Sequence, residues 1–315
     1  MPRPVIAARD ARRLLLGAQG LLDDPGRRAG PAALQSLIER MGFVQVDSIN
    51  VVERAHHLTL HSRLDGYRPA MLAALLERER TLFEHWTHDA SAIPTRWFAQ
   101  WRRRFDRYRG TDPRHAWWRA RMGPDGRKVI ASVLRRVREE GPLLSKDFGK
   151  PAGPGPAAAD KWWQWKPAKT ALEYLWRCGE LAVAKRVNFH KVYDLMERVL
   201  PRACASAPPD AEEHLHWACN GALDRLGVAA PSELASFWRA VGPGEARRWS
   251  AAAARRGEIS RGVRGSGRRL AAGRVRARRL GAAAETPAGD AGALAAAVAL
   301  RLAAMVGAAR VRERP

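Results

Sequence analysis

No run of eighteen apolar residues occurs in the 315-residue chain, so no segment reads as a bilayer-spanning helix. The start, MPRPVIAARDARRLLL, lacks the sustained apolar core and cleavage site of a signal peptide. Cysteine is scarce. Cys178, Cys204 and Cys219 are odd in number, far apart and without a CxxC spacing, which argues against a disulfide framework or a zinc knuckle. A reducing cytoplasm, in contact with the nucleoid, is the expected location. Acidic residues are also few: 32 Asp and Glu face 55 Lys and Arg, a formal net charge of +23. Such a chain is drawn to polyanions, nucleic acid first, and a membrane surface is the weaker alternative.

The sharpest deficit lies at one end. From Gly257 to Pro315 there is no Phe, Tyr, Trp, His, Lys, Asn, Gln or Cys. The segment is almost entirely Arg, Ala, Gly, Val and Leu, residues that GC-rich codons encode. Its composition reads as a change of reading frame near Ser260, with a natural disordered basic arm as the alternative. Its twelve arginines against four acids contribute +8, so the rest of the chain still carries +15.

What is present is mostly helical patterning. Helices are expected over 5–20 and 32–41, the second ended by Gly42. A short extended stretch, QVDS, follows, then helices over 51–64 and 70–80, a strand in TLFEHW, and a basic helix after Pro94. Residues 127–140 form an apolar helical stripe that Gly141-Pro142 breaks; Ser145 opens a short helix, and a third starts near Pro167. On that third helix Ala168, Ala171, Leu172, Leu175 and Trp176 are expected inward. Lys166, Lys169, Thr170, Glu173 and Arg177 are expected outward. ELAVAKRVNFHKVYDL reads as a hairpin with its turn near Val187–His190. Three helices and a hairpin make a winged helix, which can place a helix in the major groove and its hairpin along the backbone. Lys185, Arg186, Asn188, His190 and Lys191 at the hairpin tip suit phosphate contact. A similar helix pair begins near Glu212, but no wing is expected after Ser260. Twelve tryptophans read as core by default, with stacking on bases as the alternative.

The stretch that carries chemistry is Gln45-Val46-Asp47-Ser48. In an extended segment side chains alternate faces, so Gln45 and Asp47 project together. A carboxamide beside a carboxylate can hold a water between them. The competing reading is that Asp47 or Ser48 caps the following helix. His57 and His61, four apart, could meet a metal, but the glutamate of an HExxH motif is missing, so no metal or cofactor is expected. His56 and His57 suit buried hydrogen bonding or DNA contact. Arg54 and Arg63 suit phosphate contact or pairing with Glu53 and Asp65. His85 and His88 read as structural.

These blocks resemble one family. QVDSIN, ERAHHLTLHSRL, LFEHWTHDASAIP, EEGPLLSKDFG, WWQWKPAKTALEYLW and GELAVAKRVNFHKVYDLMERVLP, in that order, look like the winged-helix DNA glycosylases of YcaQ/AlkZ type. That family carries Gln, an aliphatic residue, then Gln or Asp at its catalytic site. The resemblance spans residues 5 to about 259. It implies a mainly α fold with small β-hairpins, built of tandem winged helix-turn-helix domains over 1–120, 121–205 and a partial third over 206–259. Residues 260–315 would be a tail in place of the family's C-terminal β-barrel. It also implies a monomeric, monofunctional hydrolase of N-glycosidic bonds acting on double-stranded DNA with N7-alkylated or crosslinked purines. Gln45 and Asp47 would be catalytic, and Ser48, Arg54, His56, His57, Arg63, Lys166, Lys169 and the hairpin-tip residues would contact DNA. A non-catalytic winged-helix regulator and a truncated, inactive glycosylase are the alternatives.

Overall fold

The computed structural model describes residues 5–109, 116–122, 124–148, 167–264 and 269–273. Lys166, the WWQW block and the tail beyond residue 273 lie outside the described residues. The protein is mixed α+β, mainly helical with small antiparallel sheets. The described residues divide into two compact bodies, one within 5–72, 87–91 and 209–273, the other within 73–86 and 92–208.

In the first body the helix Pro31–Met41 supplies the core through Leu34, Leu37, Ile38 and Met41. Pro31 opens it, where a missing N–H costs nothing. Gly42 closes it at φ +99°, a conformation that L side chains avoid. A Cβ there would sit 2.7 Å from Arg225 Nε and 2.9 Å from Trp238, so the position also needs the missing side chain. Arg225 bonds the carbonyls of Glu39 and Gly221 at 2.5 and 2.7 Å, tying this helix to the helix Ala211–Leu226. The helix Ala8–Ala18 packs against Ala211–Leu226 as well. Asp210 caps Ala211–Leu226, accepting from the Glu212 and Glu213 amides at 2.8 Å. Strand Val228–Ala229 and helices Pro231–Trp238 and Pro243–Arg255 follow.

A hairpin then does form. Ile259–Arg264 pairs antiparallel with Arg269–Gly273, and this second strand also pairs with Val228–Ala229. The expectation that no wing follows Ser260 is corrected. Strand pairing uses main-chain groups, so an Arg/Gly/Ala-rich segment with Ile259 and Val263 as its only β-branched residues still satisfies it. Val5–Ile6 adds a fourth strand, parallel to Val263–Arg264.

The second body repeats this plan. The helix Gly126–Glu140 leads to strand Leu143–Leu144, a short 3₁₀ turn Ser145–Phe148, the helix Pro167–Arg177 and the hairpin of Leu181–Val187 with His190–Leu195. Again the early short strand pairs with the second hairpin strand. Asn188 and Phe189 turn at φ +49° and +66°, the geometry that matches a two-residue loop to strand twist. Phe189 is an uncommon residue there. Arg186 steadies it, with its guanidinium 4.3 Å over the Phe189 ring and a 2.6 Å bond to the Phe189 carbonyl.

The core of this body is polar at its centre. Trp176 is fully buried, and its indole N–H donates to the Glu84 carbonyl at 3.0 Å. The buried Glu84 carboxylate takes a two-pronged bond from Arg186 at 2.6 and 2.8 Å. Glu173 accepts from Lys191 at 2.8 Å and from Tyr193 at 2.6 Å. Burial alone would raise the Glu173 carboxyl, but the Lys191 ammonium and these two bonds outweigh it and hold it below its usual range. Thr170 is fully buried too, so neither Thr170 nor Glu173 occupies the solvent face expected of it. Tertiary partners, not helical periodicity, decided both.

Removing one partner of a buried forked pair leaves the other charge uncompensated. Glu84→Ala is expected to cost about 3 kcal/mol, measured as a lower urea midpoint. His85 is wholly buried beside Phe105 and Trp176, and its Nε2 lies 3.0 Å from the Trp176 carbonyl. Burial first, then the Arg104 charge, push its pKa down to about 3. The folded state therefore refuses a proton that the unfolded chain accepts below pH 6.5. This contribution is complete above pH 6.5 and is lost as pH falls toward 3, by up to about 1.4 kcal/mol per pH unit. His85→Gln, which keeps a donor for Trp176 and cannot titrate there, is expected to flatten the fall in urea midpoint between pH 6.5 and 4.5.

Candidate active site

The site lies on the short strand Val44–Gln45 and the turn after it, all within the first body. Val44 and Val46 are buried, Gln45 is exposed and Asp47 half-buried. The Val46 amide donates to the Ala90 carbonyl at 2.7 Å, which fixes the register of the segment. Burial alternates along the segment: the valines are buried, Gln45 is exposed and Asp47 lies half-buried just beyond the strand.

Neither Asp47 nor Ser48 caps the next helix. That helix runs Ala55–His61, shorter than the expected 51–64, and Arg54 is its N-cap. Residues 50–54 instead form a bent loop closed by an antiparallel bridge between Asn50 and Arg54. The Asp47 carboxylate turns on its own chain: Oδ1 accepts from the Ile49 amide at 2.9 Å. This short-range turn is what Asp offers in place of helix. Among the described residues Oδ2 has no hydrogen-bond partner, so one carboxylate oxygen remains to act on something else.

The backbone beneath Asp47 is held from below. The Asp47 amide donates to Nδ1 of the buried His56 at 3.2 Å, so that nitrogen carries no proton in this arrangement. His57 lies against His56, with ring centroids 4.1 Å apart, and its Nδ1 is 2.8 Å from the Tyr67 hydroxyl. Burial, then the nearby Glu53 charge, push the Tyr67 phenol well up, so it stays protonated and donates to His57. Burial likewise lowers the His57 pKa, and the neutral ring is the form that accepts. Tyr67 was not legible in the sequence as part of this support. It arrives through a chain return at Gly66, φ +73°, that no motif marks.

The other proposed contacts divide by what they touch. Arg63 donates to the Gln19 carbonyl at 2.7 Å and the Thr59 carbonyl at 2.8 Å, bracing the main chain. Arg186 is committed to Glu84, and Lys191 to Glu173 with its ammonium 3.6 Å over Trp176. The hairpin's alternation turns these two side chains inward. Lys185, Asn188 and His190 on the same hairpin are exposed, as are Ser48 and Lys169. His57 Nδ1 engages Tyr67, and among the described residues no group of three metal-ligating side chains occurs. His88 is structural, with its Nε2 2.9 Å from the Phe237 carbonyl.

His56→Phe would leave the Asp47 amide without its acceptor while filling similar space. Hydrogen exchange at the Asp47 amide is expected to speed up by about tenfold, equivalent to about 1.4 kcal/mol of lost protection. Unchanged protection would mean that His56 does not hold this turn.

The family model for "DNA glycosylase AlkZ-like" proteins matches residues 38–311, a span that includes Gln45 to Asp47 and most of the basic tail. The likeness therefore does not stop near residue 259, and the tail beyond the hairpin is matched as family sequence. The solved structure of Streptomyces sahachiroi DNA glycosylase AlkZ aligns with a TM-score of 0.60 at 13% identity, over 88% of this chain and 72% of that one. At that identity the likeness concerns the fold. Among the described residues no helix is long and apolar enough to cross a membrane. The match over most of the chain, the shared fold and the motif inside the matched span lead to one conclusion: the chain belongs to the AlkZ-like DNA glycosylase family.

Proposed function

We propose that this protein is a monofunctional DNA glycosylase that hydrolyses the N-glycosidic bond of N7-alkylated purines, including purines joined in interstrand crosslinks. The observation that carries this reading is the outward pair Gln45 and Asp47, fixed by buried Val44 and Val46, with one Asp47 oxygen held by Ile49 N–H and the other open. Alkylation at N7 makes the purine cationic and hence a good leaving group. The barrier then lies in positive charge developing at the sugar. A fixed carboxylate near C1′ stabilises that charge and accepts a proton from the attacking water. Gln45, facing the same way, orients the water. No lysine occurs in Gln45–Asn50, so a Schiff-base lyase step has no local nucleophile.

The repeated plan of helix, short strand, two further helical segments and hairpin supports tandem winged-helix modules. Residues 31–94 show the same succession: helix Pro31–Met41, strand Val44–Gln45, helices Ala55–His61 and Pro69–Ala73, and strands Leu82–Trp86 and Ala90–Pro94. In this reading exposed Ser48, Lys169, Lys185, Asn188 and His190 meet DNA, chiefly its phosphates. Arg63, Arg186 and Lys191 serve the protein's own structure. The net charge of +23 draws the enzyme to duplex DNA without choosing a sequence.

The test is release of base from a duplex carrying N7-alkylguanine, followed as strand scission after alkali. Asp47→Asn is expected to lower the single-turnover rate by on the order of 10²–10⁴-fold while leaving duplex affinity within about twofold. Equal losses of binding and release would make Asp47 structural. Binding with no release by the unaltered protein would make the chain a DNA-binding protein without this activity.

A further inference from the structure

Immediately after the carboxylate the chain does something that folding alone does not call for. Ile49 is 66% exposed, Val51 89% and Val52 46%. Single exposed aliphatics are ordinary on a protein surface, but three within four positions form a patch. Each loses the stabilisation that burial would give it, and the core a few residues away takes Val44 and Val46 instead. The patch is also held in shape. The Asp47 carboxylate grips the Ile49 amide, and the Asn50–Arg54 bridge closes the loop that carries Val51 and Val52.

The position of the patch indicates its partner. A chain spans at most about 3.6 Å per residue, so Ile49 lies within about 7 Å of Asp47, Val51 within about 14 Å and Val52 within about 18 Å. Successive nucleotides of one strand rise about 3.4 Å. Any nucleotide whose C1′ reaches Asp47 therefore lies at most about two to five nucleotide steps from these side chains. Aliphatic groups offer nothing to a phosphate. Against the edges and faces of stacked bases they lose water and can separate a base step.

We infer that Ile49, Val51 and Val52 form an apolar wedge that enters the base stack beside the target nucleotide and parts it, so that the sugar reaches Asp47. This rests on the reading of Asp47 as the site of glycosidic hydrolysis. The wedge acts as a positioning device: it changes the DNA and takes no part in bond breaking. It also suits a crosslinked purine, whose base stays tethered to the opposite strand and cannot swing fully out, because parting one step opens access to the sugar without extruding the base.

The experiment separates the wedge from the chemistry. A duplex with N7-alkylguanine and 2-aminopurine as the adjacent base is saturated with full-length Asp47→Asn protein, which binds and does not turn over. A severalfold rise in 2-aminopurine fluorescence, reporting unstacking, is expected. Adding I49S, V51S and V52S to that protein is expected to abolish most of the rise, and adding I49L, V51L and V52L instead to preserve it. Melting temperatures of both variants establish that the exposed substitutions leave the fold intact. In the background with Asp47 retained, the serine variant is expected to release base more slowly from duplex than the unaltered protein, with a smaller loss on single-stranded DNA, where no stack has to be parted. Equal fluorescence from parent and serine variants at saturation, or no rise from the parent, overturns the wedge. If the unaltered protein releases no base, the catalytic reading fails by itself, and the fluorescence comparison still decides the wedge.

Discussion

Two buried valines govern the site. Val44 and Val46 stay out of water by turning inward, which leaves Gln45 between them exposed and Asp47 half-buried. A one-residue slip would expose the valines, so the bond from the Val46 amide to Ala90 guards the packing of the candidate site. Around this register the histidines act as a floor: His56 takes the Asp47 amide and His57 is locked by Tyr67. Burial keeps the supporting phenol protonated and favours the neutral His57 ring, so the floor is a set of neutral hydrogen bonds beneath a carboxylate that keeps one open oxygen.

The second body solves a different problem. Its centre holds Glu84, Arg186, Glu173, Lys191 and Tyr193 around Trp176, a set of charges that would be costly if any member lost its partner. Such a network specifies one hairpin register, because Arg186 and Lys191 sit opposite each other on paired strands and each must meet its own carboxylate. The basic residues that do the holding are therefore unavailable to a polyanion. In a strongly basic protein, charge that meets DNA and charge that builds the protein are different residues, and composition counts them alike.

Much of the architecture was legible from local pattern. The helices near 31–41, 126–140, 167–177 and 211–226 follow their apolar stripes and their proline, glycine and aspartate punctuation. The Val187–His190 turn was readable because a short polar break separates two β-rich runs. The tail hairpin was missed because Ile259 and Val263 are the only β-branched residues in its strands and main-chain pairing does the rest. The helix expected from residue 51 starts four residues later because Asp47 and the Asn50–Arg54 bridge give residues 47–54 a competing local structure. The inward turn of Arg186 and Lys191 was not readable, since it depends on carboxylates that are 102 and 18 positions away in the chain.

By itself the sequence determined the chemical inventory: an amide and a carboxylate two apart, aliphatics between and after them, and a large excess of positive charge. Spacing in a strand is a local property, so it also determined that the two polar groups share a face. Only the tertiary structure decided that Asp47 is no helix cap, that His56 and Tyr67 stand behind it, and that Arg63, Arg186 and Lys191 brace the protein. Those outcomes depend on which distant atoms burial brings within hydrogen-bond reach, and no local spacing encodes that distance.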